Sequence, residues 1–209
     1  MKNTLLDKIT ISCMKGEISL SPAQDKFFNK LVAIQGDLTR QGIEYWQQYS
    51  HLGTWQFWTV ACLLILPLVL VYFKIDRKLI FHIGFFGFAV HVLFSYVDAA
   101  GIRFGLWAYP YQLIPFIPSL SLDAAIIPVT IMLVYQWTLK NNKNYYLYAL
   151  LTALAFGFGF KPLLVAHGLF QKYEWVNYIY IFLIYITLFL LAYWLTRVFR
   201  WMNKREKNK

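Results

Sequence analysis

Five apolar runs of membrane-spanning length constrain the fold of this chain more than any other feature of its sequence. The runs are Thr54–Phe73, Leu79–Val97, Leu120–Thr138, Tyr145–Phe170 and Val176–Leu195. A helix needs roughly 20 predominantly apolar residues to cross about 30 Å of hydrocarbon, and each run is close to that length or longer. Lipid offers the backbone no hydrogen-bond partner, so a crossing segment satisfies its own amides as a helix. The sequence therefore predicts an all-α fold, a polytopic transmembrane helix bundle with about five spans.

The composition agrees with a membrane protein and excludes other classes. Hydrophobic residues make up 59% of the 209 positions and aromatic residues 20%, which lies outside the range of soluble globular domains. The net charge of +10 can indicate nucleic-acid binding, but the bases are concentrated in short loops beside apolar runs and at the C-terminus. That distribution is typical of topogenic charge and of contact with anionic lipid. We expect membrane lipids as partners and no nucleic acid.

The loop charges predict the orientation of the chain. The bases that follow the first, third and fifth runs are Lys74, Arg77, Lys78, Lys140, Lys143, Arg197, Arg200, Lys204, Arg205, Lys207 and Lys209. The loops that follow the second and fourth runs contain only two bases, Arg103 and Lys172. The positive-inside rule then predicts a cytoplasmic C-terminus and an outside N-terminus in a bacterial cytoplasmic membrane. A sixth crossing by residues 102–120 would instead place the N-terminus inside.

The connector between the second and third runs has an unusual composition. Residues 98–118 contain an acid, a base, several aromatic rings and the prolines Pro110, Pro115 and Pro118. Each proline lacks an amide donor and clashes with the preceding helical turn, which disfavours a continuous helix. We predict a re-entrant or interfacial segment near residues 102–119 rather than a sixth span.

Three segments are predicted along the chain. Residues 1–51 form an N-terminal amphipathic or interfacial segment, 52–198 the transmembrane bundle and 199–209 a basic cytoplasmic tail. The loose helical pattern of residues 22–49 indicates an amphipathic helix that lies at the interface or binds a partner. Cys13 and Cys62 supply neither a disulfide framework nor metal-ligand spacing. The sequence has no phosphate-binding loop or nucleophile elbow, and we expect no metal and no cofactor.

Polar residues inside the second run mark a candidate site. Gly84, Gly87, His91, Ser95 and Asp98 recur at intervals of three or four residues, so they share one helix face. The glycines on this face are expected to let a neighbouring helix approach closely. Asp98 ends the run at its outer side and leads directly into the aromatic connector.

Lys161 is the most costly residue in the apolar runs. Lysine or aspartate at the centre of a span costs roughly 2.5–3.5 kcal/mol on insertion scales, so such residues usually face the bundle interior and have a partner. Lys161 shares a helix face with Gly157, and Pro162 is expected to kink that helix. In the third run Asp123 and Thr130 share a face by their spacing.

The five-span topology places two acids and two bases at one level, in the outer half of the bundle. The predicted binding residues are Asp98, Arg103, Trp107, Tyr109, Asp123, Lys161 and His91. A purely structural alternative remains open, in which Lys161 pairs with Asp98 or Asp123 to lock helices while Arg103 binds lipid phosphate. His91 is as compatible with packing as with binding a ligand, and the aromatic residues fit an interfacial belt as well as a pocket.

The chain resembles a family of small multi-pass membrane proteins from spore-forming Gram-positive bacteria, a family without an established activity. The matching segments are 53–58, 76–78, 98–115, 123–136 and 178–185 together with Trp175, and Gly105-Leu-Trp-Ala-Tyr-Pro110 is the most specific part. The resemblance covers roughly residues 50–200. The family usually has an acid before the proline of the fourth span, whereas this chain has Lys161, so a role of that acid does not transfer.

A weaker resemblance connects the chain to the membrane domains of bacterial and fungal lycopene cyclases. Those domains have an acid and a glycine, then a segment with a tryptophan, then a pair of functional acids. The corresponding residues of this chain are Asp98, Gly101, Trp107 and Asp123. The resemblance implies isoprenoid chemistry. However, Asp123 is followed by Ala124, so the acid pair required for proton-initiated cyclisation is absent.

Three functional hypotheses follow from the sequence. The first is a non-catalytic membrane protein whose outer polar cluster binds a lipid head group, a small ligand or a partner, including a second copy of the chain. The second is an isoprenoid-modifying enzyme with Asp98 or Asp123 as general acid, although a neighbouring ammonium holds an acid ionised. The third is a small secondary transporter, favoured by the helix-breaking Pro128 and Pro162 and opposed by the lack of an inverted repeat.

Overall fold

A computed structural model describes residues 21–173 and 175–206 of the chain. The expectations for residues 1–20, which include Cys13, and those for residues 207–209 lie outside the described residues. The chain divides into two units, one ending at Gly42 and the other beginning at Ile43.

The described residues form six helices and one short ribbon. They are α1 (Pro22–Tyr49), α2 (Trp55–Lys74), α3 (Ile80–Arg103), β1 (Trp107–Ala108), α4 (Leu122–Lys140), α5 (Tyr145–Ala166), β2 (Gln171–Lys172) and α6 (Tyr178–Glu206). Helices α2 to α6 are each long and apolar enough to cross a membrane. The prediction of an all-α bundle with five spans is confirmed.

Helix α1 coincides with the helical pattern predicted for residues 22–49, and it buries none of its side chains. In the second unit, the residues at the end of α1 contact the α3–α4 connector. The Trp46 indole Nε1 and the Ser50 hydroxyl both donate hydrogen bonds to the Gln112 carbonyl, at 2.8 Å and 3.0 Å. These bonds hold the chain that enters α2 against the connector.

Helix α4 lies at the centre of the five-helix bundle. It contacts α2, α3 and α5, while α6 packs against α3 and α5. Within its most apolar stretch 61% of residues are buried, against 11% for α2. Helix α2 is therefore peripheral, and the interior is formed by α3, α4, α5 and α6.

Helices α4 and α5 each contain a π-helical segment just before a proline. The segments are Leu122–Ile126, followed by Pro128, and Ala155–Phe160, followed by Pro162. Proline removes an amide donor and clashes with the carbonyl four residues earlier, and the wider π turn relieves that clash. π-helical segments are rare and occur frequently at functional sites.

The π turn in α4 corrects one expectation from the sequence. Asp123 and Thr130 do not share a face, because Asp123 lines the interior of the bundle whereas Thr130 lines an apolar groove beside α2. A π turn accommodates one extra residue, and that extra residue rotates everything after it by about 100° relative to a regular helix.

The α3–α4 connector is irregular, as the three prolines predict. Helix α3 ends at Arg103, and Gly105 turns the chain with a φ of +67° that favours glycine. Strand β1 then pairs antiparallel with β2 of the α5–α6 connector, with Trp107 opposite Lys172. No sixth span occurs between α3 and α4, and the ribbon joins the two connectors at one end of the bundle.

Candidate functional site

Asp98 is the most constrained acid of the bundle interior. It lies on the last turns of α3 with 8% of its surface exposed. Its Oδ1 accepts hydrogen bonds from the Trp107 indole Nε1 at 2.7 Å and from the Tyr109 hydroxyl at 2.9 Å. Its Oδ2 is buried and has no hydrogen-bond partner within the described part of the chain. A buried carboxylate oxygen without a donor is costly, and its presence points to a bound group.

Gly101 positions the tryptophan that binds Asp98. A Cβ at this position would overlap the six-membered ring of the Trp107 indole. The absence of a side chain on this turn of α3 lets the connector fold back so that the indole N–H reaches the Asp98 carboxylate. The fold therefore needs both residues of the pair, Gly101 and Trp107, to orient the acid.

Lys161 lies on the opposite wall of the same interior. Only 5% of its surface is exposed, and its Nζ donates a hydrogen bond to the Tyr109 hydroxyl at 3.2 Å. The same nitrogen lies 3.7 Å from the centroid of the Phe170 ring, a cation–π contact. Of the three ammonium protons, one has an acceptor among the described residues.

Tyr109 links the lysine to Asp98. Its hydroxyl accepts from Lys161 and donates to Asp98, whereas no direct ion pair within 4 Å joins Lys161 to either acid in the described structure. Burial, and then the Asp98 and Asp123 carboxylates, raise the pKa of the Tyr109 phenol well above its usual value. Tyr109 is therefore a neutral relay that both donates and accepts.

Asp123 lies within the π turn of α4. Its side chain is 4% exposed, and its Oδ2 accepts a hydrogen bond from the Ser119 hydroxyl at 2.7 Å. Its backbone carbonyl accepts from His91 Nδ1 at 2.8 Å. In the π pattern that carbonyl would accept from residue 128, which is a proline without an N–H, while the Ile127 N–H donates to Leu122. His91 supplies the donor that Pro128 lacks.

Asp98, Asp123 and Lys161 line one small cavity. Its walls are Phe94, Val97, Asp98, Trp107, Tyr109, Asp123, Ile127, Lys161, Phe170, Ile181, Ile184 and Tyr185. The volume open to the centre of a water-sized sphere is about 30 Å³. One water requires roughly 10–15 Å³ on that measure, so the cavity has room for about two water molecules.

A second cavity shares Asp123 with the first. It has a volume of about 210 Å³ and lies between α3 and the end of the connector. Its walls include His91, Ser95, Phe116 and Ser119 as well as Asp123. Asp123 therefore lines both the small cavity and the larger one.

The structure brings five of the seven predicted residues onto the cavity of about 30 Å³, and two lie elsewhere. Asp98, Trp107, Tyr109, Asp123 and Lys161 line it. His91 lines the second cavity and binds the α4 backbone. Arg103 is exposed at the end of α3 and lines neither cavity, because the helix turns its side chain away from the face that bears Asp98.

Sequence reasoning missed three contributors to the site. They are the Ser119 hydroxyl, the Phe170 ring and Tyr185. Ser119 precedes Asp123 by four residues, a spacing that suits a local hydrogen bond. Phe170 follows the end of α5 and had no sequence signal that separated it from other aromatic residues.

Comparisons of this chain with protein-family models, with curated proteins and with solved structures found no match.

Proposed function

We propose that this multi-pass membrane protein binds one monovalent cation, a proton or a small inorganic ion, in the cavity between Asp98, Asp123 and Lys161. The observation that carries the proposal is the buried Oδ2 of Asp98, which has no hydrogen-bond donor within the described residues although Asp98 lines the cavity. A bound group that supplies positive charge satisfies that oxygen. This narrows the binding function expected from the sequence to a ligand of defined charge and size.

The charge balance of the cluster supports a cation. Two carboxylates and one ammonium give the cavity a formal charge of −1 when all three are ionised. An uncompensated charge in a low-dielectric interior costs several kcal/mol (order of magnitude). One bound proton or one monovalent cation restores neutrality. Ionisable residues at membrane depth commonly form such proton or ion sites.

The size of the cavity argues against the larger ligands considered from the sequence. A volume of about 30 Å³ accommodates neither a lipid head group nor an isoprenoid chain. An isoprenoid-modifying reaction with Asp98 as the general acid would need its substrate in this cavity, so the small volume disfavours that form of the hypothesis. Membership of the family from spore-forming bacteria remains a prediction.

Infrared difference spectroscopy of the reconstituted protein at neutral pH tests the proposal. If a proton is the ligand, a protonated-carboxyl band is present both in sodium buffer and in buffer with a bulky organic cation. If sodium is the ligand, the band appears only after sodium is replaced. Lack of that band in both buffers would contradict the proposal.

Two substitutions shift the charge of the cavity in opposite directions. Asp98→Asn leaves one carboxylate and one ammonium, so the protonated-carboxyl band should disappear. Lys161→Met leaves two carboxylates, so the band should increase. Asp37→Asn, an exposed acid on α1, is the matched control and should leave the band unchanged. Equal spectra for all three variants would rule out this assignment.

A second candidate function is secondary transport of the same cation. The specific observation in its favour is that one acidic residue, Asp123, lines both cavities. Interrupted helices beside the ion site are a recurrent feature of transporters. Liposomes that contain the protein should then dissipate a pH or sodium gradient, and Asp123→Asn should abolish the flux. Liposomes that hold the gradient would leave binding as the function.

We also propose the orientation that the loop charges predict, with the C-terminus in the cytoplasm and the N-terminus outside a bacterial cytoplasmic membrane. Lys74, Lys140 and Lys143 lie at helix ends or in the turn between helices, as the positive-inside rule requires. The cation site then lies toward the outer surface.

A further inference from the structure

Another pocket, distinct from the two cavities beside Asp123, lies between α4 and α6, far along both helices from the proposed cation site. It has a volume of about 420 Å³. Its walls are Tyr135, Leu139, Tyr193, Arg197, Arg200 and Trp201. Two positive side chains and three aromatic side chains thus surround a space large enough for a phosphate group, and none of these lining residues is acidic.

The two arginines act from one face of α6. Arg197 and Arg200 are three residues apart, so their side chains lie one above the other. Both are exposed, and the Arg197 guanidinium lies 5.7 Å from the centroid of the Tyr193 ring. Guanidinium groups present several N–H donors in a plane that matches the oxygens of a phosphate. Two adjacent guanidiniums repel each other until an anion lies between them.

The aromatic floor of the pocket is held by contacts with other residues of the bundle interior. Tyr135 is 1% exposed, and its hydroxyl lies 2.9 Å from His82 Nε2. The Tyr193 ring stacks on Tyr145 with centroids 4.4 Å apart and planes 18° apart, and it meets Tyr135 edge-on. These contacts fix the shape of the floor beneath the guanidinium groups.

We propose that this pocket binds the phosphodiester of an anionic membrane phospholipid. Arg197 and Arg200 lie in the last turns of a helix long enough to cross a membrane, which is the depth of lipid head groups. Trp194 and Leu191, one and two turns from Arg197 toward the middle of α6, are exposed and apolar, so an acyl chain can continue along the helix from the head group. Charge complementarity and this apolar continuation together select a lipid over a soluble anion.

Native mass spectrometry of the protein released from nanodiscs tests the proposal. The nanodiscs contain phosphatidylcholine with a minor fraction of phosphatidylglycerol, and the retained phosphatidylglycerol is counted. The wild-type protein should retain it preferentially. Arg197→Gln and Arg200→Gln should each weaken retention about fivefold, the effect of one basic residue near an anionic surface.

The matched control is Lys143→Gln, an exposed base in the α4–α5 turn outside the pocket. It should leave retention within a factor of two. Arg197→Lys should keep part of the binding, because the charge remains while the planar donor set is lost. Equal loss in the control and in the arginine variants would overturn the site, since binding would then follow net charge.

A further experiment distinguishes a soluble phosphate ligand from a phospholipid. Inorganic phosphate is added to wild-type protein in nanodiscs of phosphatidylcholine alone, and the thermal midpoint is compared with that in phosphatidylglycerol. The lipid alone should raise the midpoint. Stabilisation by millimolar phosphate that Arg200→Gln removes, with no preference for phosphatidylglycerol, would overturn the lipid assignment.

Discussion

Trp107 and Tyr109 determine how the carboxylate of Asp98 is held, and both belong to an irregular segment. The indole N–H and the phenol O–H converge on one oxygen of the acid, at 2.7 Å and 2.9 Å. The other oxygen is buried and has no hydrogen-bond donor within the described residues. The bare Cα of Gly101 makes this arrangement sterically accessible.

Replacement of Gly101 by alanine should disrupt the site indirectly, by displacing the Trp107 ring that binds Asp98. The added methyl group overlaps the Trp107 ring, and overpacking of this kind costs about 1–3 kcal/mol. The free energy of unfolding in mixed micelles should fall by that amount. Gly84→Ala on the same helix is the control, because no atom of a neighbouring residue lies near its Cβ position. It should be neutral or stabilising by up to about 1 kcal/mol, and an equal loss in both variants would contradict the argument.

The clustering of Asp98, Asp123 and Lys161 was predictable from the sequence because helix spacing and the number of spans place them at one level. The indirect link through Tyr109 was not, because it depends on how the connector folds back over α3. Gly84 also departs from expectation, since its position meets open space rather than a close neighbour. Spacing identifies a helix face but does not say what packs against it.

Among the elements, α4 and α5 share one construction, a π turn immediately before a proline. Asp123 lies in the first turn and Lys161 directly after the second. The prolines were visible in the sequence and predicted interruptions. The type of interruption was not, because a kink, a break and a π turn all relieve the same clash.

The role assigned to His91 predicts a coupling with Pro128. His91→Ala removes the donor to the Asp123 carbonyl, which should lower the free energy of unfolding by about 1–3 kcal/mol. Pro128→Ala restores a backbone N–H at the position that the π pattern leaves empty. The cost of His91→Ala should therefore be smaller in the Pro128→Ala background, with a coupling of at least about 0.5 kcal/mol. An unchanged cost would show that His91 serves another purpose.

For the whole molecule, the number of spans followed from the sequence because length and apolar character suffice to count them. The central place of α4 and the peripheral place of α2 did not follow, since all five runs are similarly apolar. Which face of each helix is buried depends on contacts between helices, and lipid-facing side chains are as hydrophobic as buried ones.

Cysteine labelling tests the proposed orientation. In a background with Cys13 and Cys62 replaced by serine, Gln171→Cys lies in the exposed α5–α6 connector and Lys143→Cys in the α4–α5 turn. A maleimide that cannot cross the membrane should label Gln171→Cys in intact cells. Lys143→Cys should react only after the cells are permeabilised. The reverse pattern would invert the topology and place the proposed cation site toward the cytoplasm.

The ribbon formed by β1 and β2 has a mechanical consequence. It joins the connector that contains Trp107 and Tyr109 to the connector that contains Phe170. The Tyr109 and Phe170 rings are also in contact, with centroids 5.3 Å apart. Two walls of the cavity that contains Asp98 therefore belong to connectors that are joined to each other. If an ion enters or leaves the cavity through that side, both loops must move together. Access there would then depend on one concerted movement of the two connectors.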